Sequence, residues 1–248
     1  MRVRFLSLYI YKMKTVIHND YLGYKGRLDR MIGDFDKRGK LIAQSRNTIK
    51  IIDVDQLKVN VKSFGIPNLI NKIVYRFFRK SKAERSYLFG LKLKELGIGT
   101  PDPVGYYEFY KGAFFSKSFY VSKQVMNHMT FRELLKQPRD SEFEDGLRAF
   151  TRFTYQMHEK SVYFLDHSQG NTLIVNKDSG YEFYLVDLNR MQFKSLDLRL
   201  RIKNFERLAT RAEDVRIMSD EYAKCVGEDP EEVFRLMWSD TQSYQYKF

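Results

Sequence analysis

The sequence is poor in cysteine and proline, with one cysteine and five prolines in 248 residues, and it lacks long apolar runs. Because Cys225 has no cysteine partner in the chain, an internal disulfide and a cysteine-based zinc site are excluded, and a reducing compartment is expected. Without low-complexity segments, the composition is that of a folded chain. The apolar run at residues 5–11 is far shorter than the roughly 20 residues that span a bilayer, so a terminal strand or extension is predicted there, and Met13 is a second plausible start.

Basic residues outnumber acidic ones, with 43 lysines and arginines against 31 aspartates and glutamates, which gives a net charge of +12. This excess predicts attraction to an anionic partner, and charge alone leaves nucleic acid, a membrane surface and a phosphorylated ligand open. The sequence carries no recognised helix-turn-helix, zinc-finger or RNA-binding signature, so nucleic acid is not expected.

The first half of the chain is predicted to be rich in strands. Three short strands separated by turn-forming residues are predicted at residues 41–44, 48–53 and 57–64. A helical pattern follows over residues 68–96, and Gly97 is a natural stop for it. Aromatic and β-branched residues then predict a further strand or strand pair over residues 114–125.

The second half is predicted to be mainly helical. Thr130 and Glu133 fit a capping box at the start of a helix, and a longer helix with apolar residues at helical spacing covers residues 141–160. A strand hairpin at residues 172–176 and 181–186 interrupts the helices.

The most informative stretch ends at Asp187 and begins just before Asp166. Asp166 is followed five positions later by Asn171, then by the predicted hairpin, and Asp187 comes after its second strand. This order matches the catalytic loop and metal-binding segment of kinases. An aspartate can orient an acceptor hydroxyl and take its proton, while an amide and a carboxylate can hold Mg²⁺ against nucleotide phosphates. We therefore predict Asp166 as the catalytic residue and Asn171 and Asp187 as metal ligands of an ATP- and Mg²⁺-dependent phosphotransferase.

Kinase chemistry also requires a strand lysine that holds the nucleotide phosphates and a helix glutamate that holds the lysine. Lys62, near the end of the third predicted strand, is the candidate lysine, and Glu84, at the head of the following helix, is the candidate glutamate. The turn expected over the phosphates contains no glycine, so side chains of Ser45, Arg46 and Asn47 are predicted to make those contacts instead.

Four further residues follow from this arrangement. Val125 and Asn127 lie where the hinge between two lobes is predicted, and they are assigned to the nucleotide. His158, at the end of the long helix, is predicted to be a packing or capping residue. For His167, inside the loop, contact with substrate and an exposed position without a role are both left open.

The pattern as a whole predicts an α+β fold with two lobes, as in protein kinases. The N-terminal, nucleotide-binding lobe covers residues 1–125, begins with an extension at residues 1–39, and combines an antiparallel sheet with a helix. The C-terminal, catalytic lobe covers residues 126–248 and is mainly helical.

Five segments carry a family resemblance, at residues 61–62, 79–86, 97–103, 166–171 and 186–190. Together they resemble the lipopolysaccharide core kinase (Kdo/WaaP) family, from about residue 40 to about residue 195. The resemblance implies a protein-kinase-like fold and phosphorylation of a sugar, Kdo or heptose, in the inner core of lipopolysaccharide. It also implies a Gram-negative bacterium and a protein that acts on the cytoplasmic side of the inner membrane.

Three departures from protein kinases bear on the substrate. Ser168 stands where many protein kinases place a lysine that neutralises the transferring charge, and no glycine-rich phosphate loop is present. Since Asp187 is also followed by Leu188 and Asn189 instead of Phe-Gly, a small or glycolipid substrate is favoured over a protein.

Basic residues cluster around the predicted helix at residues 68–96, with Ile73, Phe77 and Phe78 nearby. The cluster consists of Lys72, Arg76, Arg79, Lys80, Lys82 and Arg85. Its composition suits docking on an anionic membrane surface or a phosphorylated core, and a solvated helix face explains it equally well. A peripheral position on the inner face of the inner membrane is the corresponding expectation.

Two alternative functions stay open at this point. One is a small-molecule phosphotransferase of the choline or aminoglycoside kinase type, because such enzymes share the same catalytic acids. The other is a pseudokinase that binds nucleotide without transfer. The sequence leaves the sugar, the phosphorylated hydroxyl and the oligomeric state undetermined.

Overall fold

A computed structural model of the protein describes residues 11–65, 80–112 and 114–247. Contacts divide the chain into two units. The first contains the described residues up to Leu91 together with Asp102–Gln124, and the second contains Lys92–Pro101 together with the described residues from Val125 onward. The sequence alone places the division between residues 125 and 126, whereas contacts place it after Gln124.

The first unit is built on a six-stranded sheet in which all neighbouring strands are antiparallel. Its strands are β1 (Tyr11–Ile17), β2 (Lys40–Gln44), β3 (Asn47–Val54), β4 (Leu57–Phe64), β5 (Pro103–Lys111) and β6 (Phe114–Lys123). They lie in the order β1-β5-β6-β4-β3-β2, so β1 and β2 form the edges. The three predicted strands between residues 41 and 64 are confirmed as β2, β3 and β4, and β6 confirms the strand after residue 114.

One face of the sheet is covered by α1 (Lys25–Gly33), a helix within the predicted N-terminal extension. Leu28 and Met31 of α1 form one buried apolar cluster with Val59 and Val61 of β4. These two valines alternate with polar residues, so the pattern that predicted the strand also provides the surface on which α1 packs. Since β1 pairs with β5 along its whole length, the N-terminal residues from 11 onward are packed into this unit.

The opposite face of β4 meets α2 (Lys82–Glu95). Phe64 of β4 shares a second apolar cluster with Ala83 and Tyr87 of α2. Lys62 precedes Phe64 by two residues and therefore lies on the same face of the strand, with Nζ 5.5 Å from the centroid of the Phe64 ring. The predicted lysine thus lies on the side of the sheet that carries α2.

The second unit is mainly helical. Its helices are α3 (Phe131–Leu134), α4 (Ser141–Glu159), α5 (Leu198–Lys203), α6 (Ala212–Val226) and α7 (Pro230–Gln245). One small sheet contains β7 (Met129–Thr130), β9 (Thr172–Lys177) and β10 (Gly180–Leu185), and another pairs β8 (Val162–Phe164) with β11 (Met191–Phe193). Phe150 of α4 lies in the core, where it stacks on Phe131 with 4.0 Å between ring centroids and meets Phe183 edge-on.

Most predictions for regular structure are confirmed, including the α+β class. The long helix, the β9–β10 hairpin and the capping box of Thr130 and Glu133 are all present. Gly97 ends α2 with φ 64° as predicted, whereas residues 66–79, which hold the first part of the predicted helical segment, lie outside the described residues. No strand was predicted over β5, which starts at Pro103, because proline cannot donate a hydrogen bond to a neighbouring strand and weakens the local strand pattern.

Candidate active site

The loop between β8 and β9, residues 166–171, is called the Asp166 loop below. Nδ2 of Asn171 donates a hydrogen bond to the backbone carbonyl of Asp166 at 2.8 Å, which closes the loop on itself. The backbone N–H of His167 donates to the Phe164 carbonyl at 3.1 Å. These bonds hold Asp166 and Asn171 together, and the amide oxygen of Asn171 is the side-chain atom that could coordinate a cation.

Asp187 is brought to this loop by the residue that precedes it. The backbone N–H of Val186 donates to the carbonyl of Asn171 at 2.9 Å. Asp187 has φ 60° and ψ 46°, a left-handed conformation that aspartate adopts more readily than most residues. Its Oδ1 accepts a hydrogen bond from Nδ2 of Asn189 at 2.6 Å. The structure therefore brings Asp166, Asn171 and Asp187 into one connected segment.

Asn171 and Asp187 supply the types of oxygen ligand that Mg²⁺ prefers. A magnesium ion in a kinase site is held by one or two protein groups, and phosphate and water oxygens complete its octahedron. Over residues 11–65, 80–112 and 114–247, no group of three or more histidine, cysteine, aspartate and glutamate side chains could hold a metal ion. One amide oxygen and one carboxylate suit an ion whose other ligands are water and phosphate oxygens.

Two arginines distant in sequence contact the Asp166 carboxylate. Nη1 of Arg207 donates to Oδ1 at 2.9 Å, and Nη1 of Arg190 lies 3.7 Å from Oδ2. Arg207 also lies against the ring of Tyr244 in α7, 5.5 Å from its centroid. Burial opposes the charge of Arg207, but hydrogen bonding and electrostatic attraction to Asp166 and Tyr244 together outweigh burial, so the pKa of Arg207 is raised. Sequence analysis gave neither arginine a role, because 41 residues separate Arg207 from Asp166 and no local pattern connects them.

His158 supports the segment just before the Asp166 loop, through a hydrogen-bonded contact with Asn204. Its Nδ1 lies 2.8 Å from the hydroxyl of Tyr222, and its Nε2 lies 3.1 Å from Oδ1 of Asn204. Asn204 in turn donates from Nδ2 to the carbonyl of Phe164 at 2.9 Å. Burial lowers the pKa of His158 to about 4, so the ring is neutral at pH 7. His158 is a packing residue, as predicted.

His167 is buried, so the expectation of an exposed or substrate-contacting side chain is wrong. Its ring lies between Phe150 and Phe164, with centroids 5.5 Å and 5.8 Å away. Burial lowers the pKa of His167 to about 3, which keeps the ring neutral in this apolar site. Position in a polar loop suggested exposure, and only tertiary packing turns the side chain inward.

The predicted nucleotide lysine and its glutamate both belong to the first unit. Lys62 is buried on β4, and Glu84 lies in the first turn of α2. The Glu84 carboxylate lies 3.5 Å from Nζ of Lys14 on β1, and the same Nζ lies 3.4 Å from the buried carboxylate of Glu108. Lys14 therefore belongs to the charged surroundings of Glu84, which sequence analysis did not anticipate because it placed this lysine in an extension.

Two backbone contacts and one side-chain hydrogen bond hold the turn that contains Ser45, Arg46 and Asn47. The N–H of Ser45 donates to the carbonyl of Asn47 at 3.0 Å, and Oδ1 of Asn47 accepts a hydrogen bond from the N–H of Gly65 at 3.4 Å. A Cβ atom at Gly65 would lie 2.4 Å from the Arg46 carbonyl oxygen, so only glycine permits this approach. The turn contains no glycine, and its close backbone contact is made with Gly65, which follows β4.

Val125 and Asn127 follow β6 at the start of the second unit. The Val125 carbonyl lies 2.9 Å from Nδ1 of His128, and Asn127 has φ 51°. Asparagine is among the residues that tolerate this left-handed conformation, so the chain bends at Asn127 without a glycine.

The predicted lipid-docking cluster lies partly outside the described residues. Six positions lie outside the described residues: Lys72, Ile73, Arg76, Phe77, Phe78 and Arg79. Of the remaining three, Lys80 and Lys82 are exposed and Arg85 is half-buried. In the described part of the chain, no helix combines the length and apolar character needed to cross a membrane.

Residues 70–228 match the model of the lipopolysaccharide kinase (Kdo/WaaP) family. This match begins later than residue 40, where the sequence resemblance was expected to start, and extends beyond residue 195. Among solved structures, WaaP in complex with acyl carrier protein is similar with a TM-score of 0.63 and 16% identity, covering 94% of this chain and 98% of that chain. No curated protein matches the chain. The likeness to WaaP shows a protein-kinase-like fold, as predicted.

Proposed function

Because the chain belongs to the lipopolysaccharide kinase (Kdo/WaaP) family, it is a kinase, and we propose that it transfers the γ-phosphoryl group of ATP to a hydroxyl of Kdo or heptose. The acceptor would be a sugar of the lipopolysaccharide inner core in a Gram-negative bacterium. The observation that supports this proposal most directly is the hydrogen-bonded connection of Asp166, Asn171 and Asp187 through the backbone of Val186.

On the acceptor side, Asp166 is the proposed catalytic residue. Its carboxylate, oriented by Arg207, can accept a hydrogen bond from the acceptor hydroxyl and take its proton. The hydroxyl oxygen forms a bond to the γ-phosphorus while the bond from that phosphorus to the bridging oxygen of ADP breaks. Since phosphoryl transfer depends mainly on positioning and electrostatics, a fixed carboxylate is the main contribution of this loop.

On the nucleotide side, Asn171 and Asp187 are the proposed metal ligands. Mg²⁺, when bound there, would offset the negative charge of the β- and γ-phosphates. We assign Lys62 to the phosphates and Glu84 to the support of that lysine. The turn at Ser45–Asn47 would cover the phosphates through side-chain groups and the peptide N–H of Arg46, which its backbone contacts hold in place.

Three further proposals concern binding and location. Val125 and Asn127 would contact the nucleotide beside β6. The protein would work at the inner face of the inner membrane, attracted by the excess of basic residues. Because the similar WaaP structure is a complex with acyl carrier protein, binding of an acyl carrier protein to this chain is a third proposal to be tested by direct titration.

Mass analysis of the lipid A-core of a deletion strain tests the proposed acceptor. We expect the deletion strain to lose one phosphate on an inner-core sugar, and plasmid-borne wild-type protein to restore it. Asp166→Ala should fail to restore the phosphate although it binds ATP, whereas Arg216→Met, altered at an exposed ion pair with Glu231, should restore it fully. A core that is unchanged by the deletion would contradict the proposal.

A screen of phosphate transfer by the purified protein to small acceptors distinguishes the proposed function from the main alternative, a small-molecule phosphotransferase. Turnover of choline or an aminoglycoside, without turnover of a Kdo- or heptose-containing glycolipid, would replace the proposed acceptor by a small molecule. Loss of ATP consumption in Asp166→Ala must accompany either result, because both acceptors would use the same carboxylate.

A further inference from the structure

Three arginine side chains lie against the Asp166 loop, two near Asp166 and one near Gly170. Arg207 and Arg190 approach the two carboxylate oxygens of Asp166, at 2.9 Å and 3.7 Å. Arg132 lies at the other end of the loop, where a Cβ atom at Gly170 would be 3.6 Å from its Nη2. The backbone N–H of Arg132 also donates to the carbonyl of Gln169 at 2.8 Å, so its main chain is fixed to the loop.

Positive charge exceeds negative charge around this loop. Asp166 is the only acidic residue among residues 166–171, whereas three guanidinium groups lie against them. His167 adds no positive charge, because it is buried and neutral. Asp187 is also brought to this loop, through the backbone bond of Val186 to Asn171, and is assigned to the metal ion. Two carboxylates do not balance three arginines, so the surroundings of the proposed base favour an additional anion.

The three arginines differ in exposure and in the contacts that they make within the protein. The Arg207 side chain is 29% exposed, makes a direct hydrogen bond to Asp166, and lies against Tyr244. Arg190 is 66% exposed, and its distance of 3.7 Å from Asp166 is longer than a hydrogen bond. Arg132 is exposed as well. Arg190 and Arg132 can therefore receive a ligand while Arg207 keeps Asp166 in place.

We propose that Arg190 and Arg132 bind an anionic group of the acceptor, a carboxylate or a phosphate next to the hydroxyl that is phosphorylated. A planar guanidinium matches either group with two parallel hydrogen bonds, which also fixes the orientation of the sugar. This subsite rests on the proposed function, because it uses the acceptor side of the same loop. It defines the substrate class as an acidic or already phosphorylated sugar.

Paired acceptors test the subsite. Wild-type protein is compared on a Kdo-containing glycolipid and its carboxyl-reduced form, and on a phosphorylated core and its dephosphorylated form. We expect wild type to favour the charged member of one pair, and that pair identifies the carboxylate or the phosphate as the group bound. In Arg190→Met and Arg132→Met, KM for that acceptor should rise about tenfold, the loss expected for one charge-assisted hydrogen bond, with little change in kcat.

Control variants separate recognition from misfolding. Arg216→Met and Arg235→Met, which alter a half-buried arginine paired with Glu231 and an exposed arginine paired with Glu232, should keep wild-type KM. Arg190→Lys and Arg132→Lys should recover part of the preference, because charge returns without the bidentate geometry. Each variant must keep the thermal midpoint of wild type, and a variant that unfolds is replaced by its lysine form.

The outcomes distinguish the two proposals. Absence of transfer by wild type to any core acceptor would overturn the proposed function itself. Transfer by wild type with equal kcat/KM for charged and neutral acceptors, or an unchanged preference in the Arg132→Met and Arg190→Met double variant, would overturn only the subsite. A preference that falls to near unity in the double variant supports the subsite.

Discussion

The Asp166 loop and the turn at Ser45–Asn47 both carry residues assigned to phosphoryl transfer, yet they are held by different kinds of contact. Side chains hold the loop, through Asn171, Asn204 and Arg207. The turn is held mainly through its backbone, by the approach of Gly65 to the Arg46 carbonyl and the hydrogen bond from the Ser45 N–H to the Asn47 carbonyl. One side-chain atom, Oδ1 of Asn47, adds a hydrogen bond from the Gly65 N–H. The protein therefore fixes side-chain charge at the proposed base, and it fixes mainly the path of the chain at the turn that is proposed to cover the nucleotide.

The largest effect is expected when a side chain that supports the Asp166 loop is removed. Arg207→Met removes the hydrogen bond to Oδ1 of Asp166 but keeps most of the packing against Tyr244. We expect kcat to fall about 100-fold, the scale of a small misplacement of a catalytic group, with an unchanged KM for ATP. Arg216→Met is the matched control, because Arg216 also stacks on a ring, Phe234, and pairs with a carboxylate, Glu231. Equal kcat in wild type and Arg207→Met would show that Asp166 needs no such support.

The next largest effect concerns the pH dependence of stability, to which His158, the residue that supports the Asp166 loop through Asn204, contributes. His158 has a pKa of about 4 in the folded protein against an ordinary value of 6.5, because it is buried. The unfolded chain therefore binds more protons between these values, so stability is complete above pH 6.5 and is lost as pH falls toward 4. We expect a loss on the order of 2 kcal/mol in the free energy of unfolding between pH 7 and pH 5 from this residue.

Urea denaturation of wild type and His158→Gln at both pH values measures the contribution of His158. The loss should be smaller in His158→Gln, and the residual slope should reflect His167 and the carboxylates, which both proteins share. Equal pH dependence in the two proteins would contradict this contribution of His158.

A smaller effect is expected when the backbone contact of the turn is broken. Gly65→Ala places a Cβ atom 2.4 Å from the Arg46 carbonyl oxygen, so the turn must shift. KM for ATP should rise about tenfold, on the scale of one lost charge-assisted hydrogen bond, while kcat at saturating ATP stays near wild type. Gly26→Ala is the control, because no atom lies within 4 Å of its added Cβ and alanine favours the helix α1. An unchanged KM in Gly65→Ala would separate the turn from nucleotide binding.

The smallest effect is expected at the partner of Glu84. Lys14→Met leaves the buried carboxylate of Glu108 without its nearby ammonium group. Since the Lys14 side chain is 44% exposed, water screens the pair, and we expect about 1 kcal/mol of destabilisation. Chemical denaturation of Lys14→Met beside Lys25→Met, which alters an exposed pair with Asp29, measures the difference. A stability equal to that of Lys25→Met would reduce Lys14 to an ordinary surface charge.

Regular structure was largely predictable because its signals are local. The apolar spacing of residues 141–160 and the turn between β9 and β10 are read from neighbouring residues, and both elements are present. By contrast, β5 was not predicted, because Pro103 and Gly105 weaken its local strand pattern. Its strand conformation is instead stabilised by pairing with β1 and β6. Strands depend on partners that can be distant in sequence, so their prediction is less complete than that of helices.

The same distinction applies to the candidate site. Asp166, Asn171 and Asp187 were selected from spacing alone, because one loop and one hairpin carry all three. Their roles remain predictions, as do those of Lys62 and Glu84. The sequence determined which chemical groups are present and in what order. Only the tertiary structure decided that Arg190 and Arg207 lie against Asp166 and that His167 is buried, because these contacts depend on packing between segments that no local spacing relates.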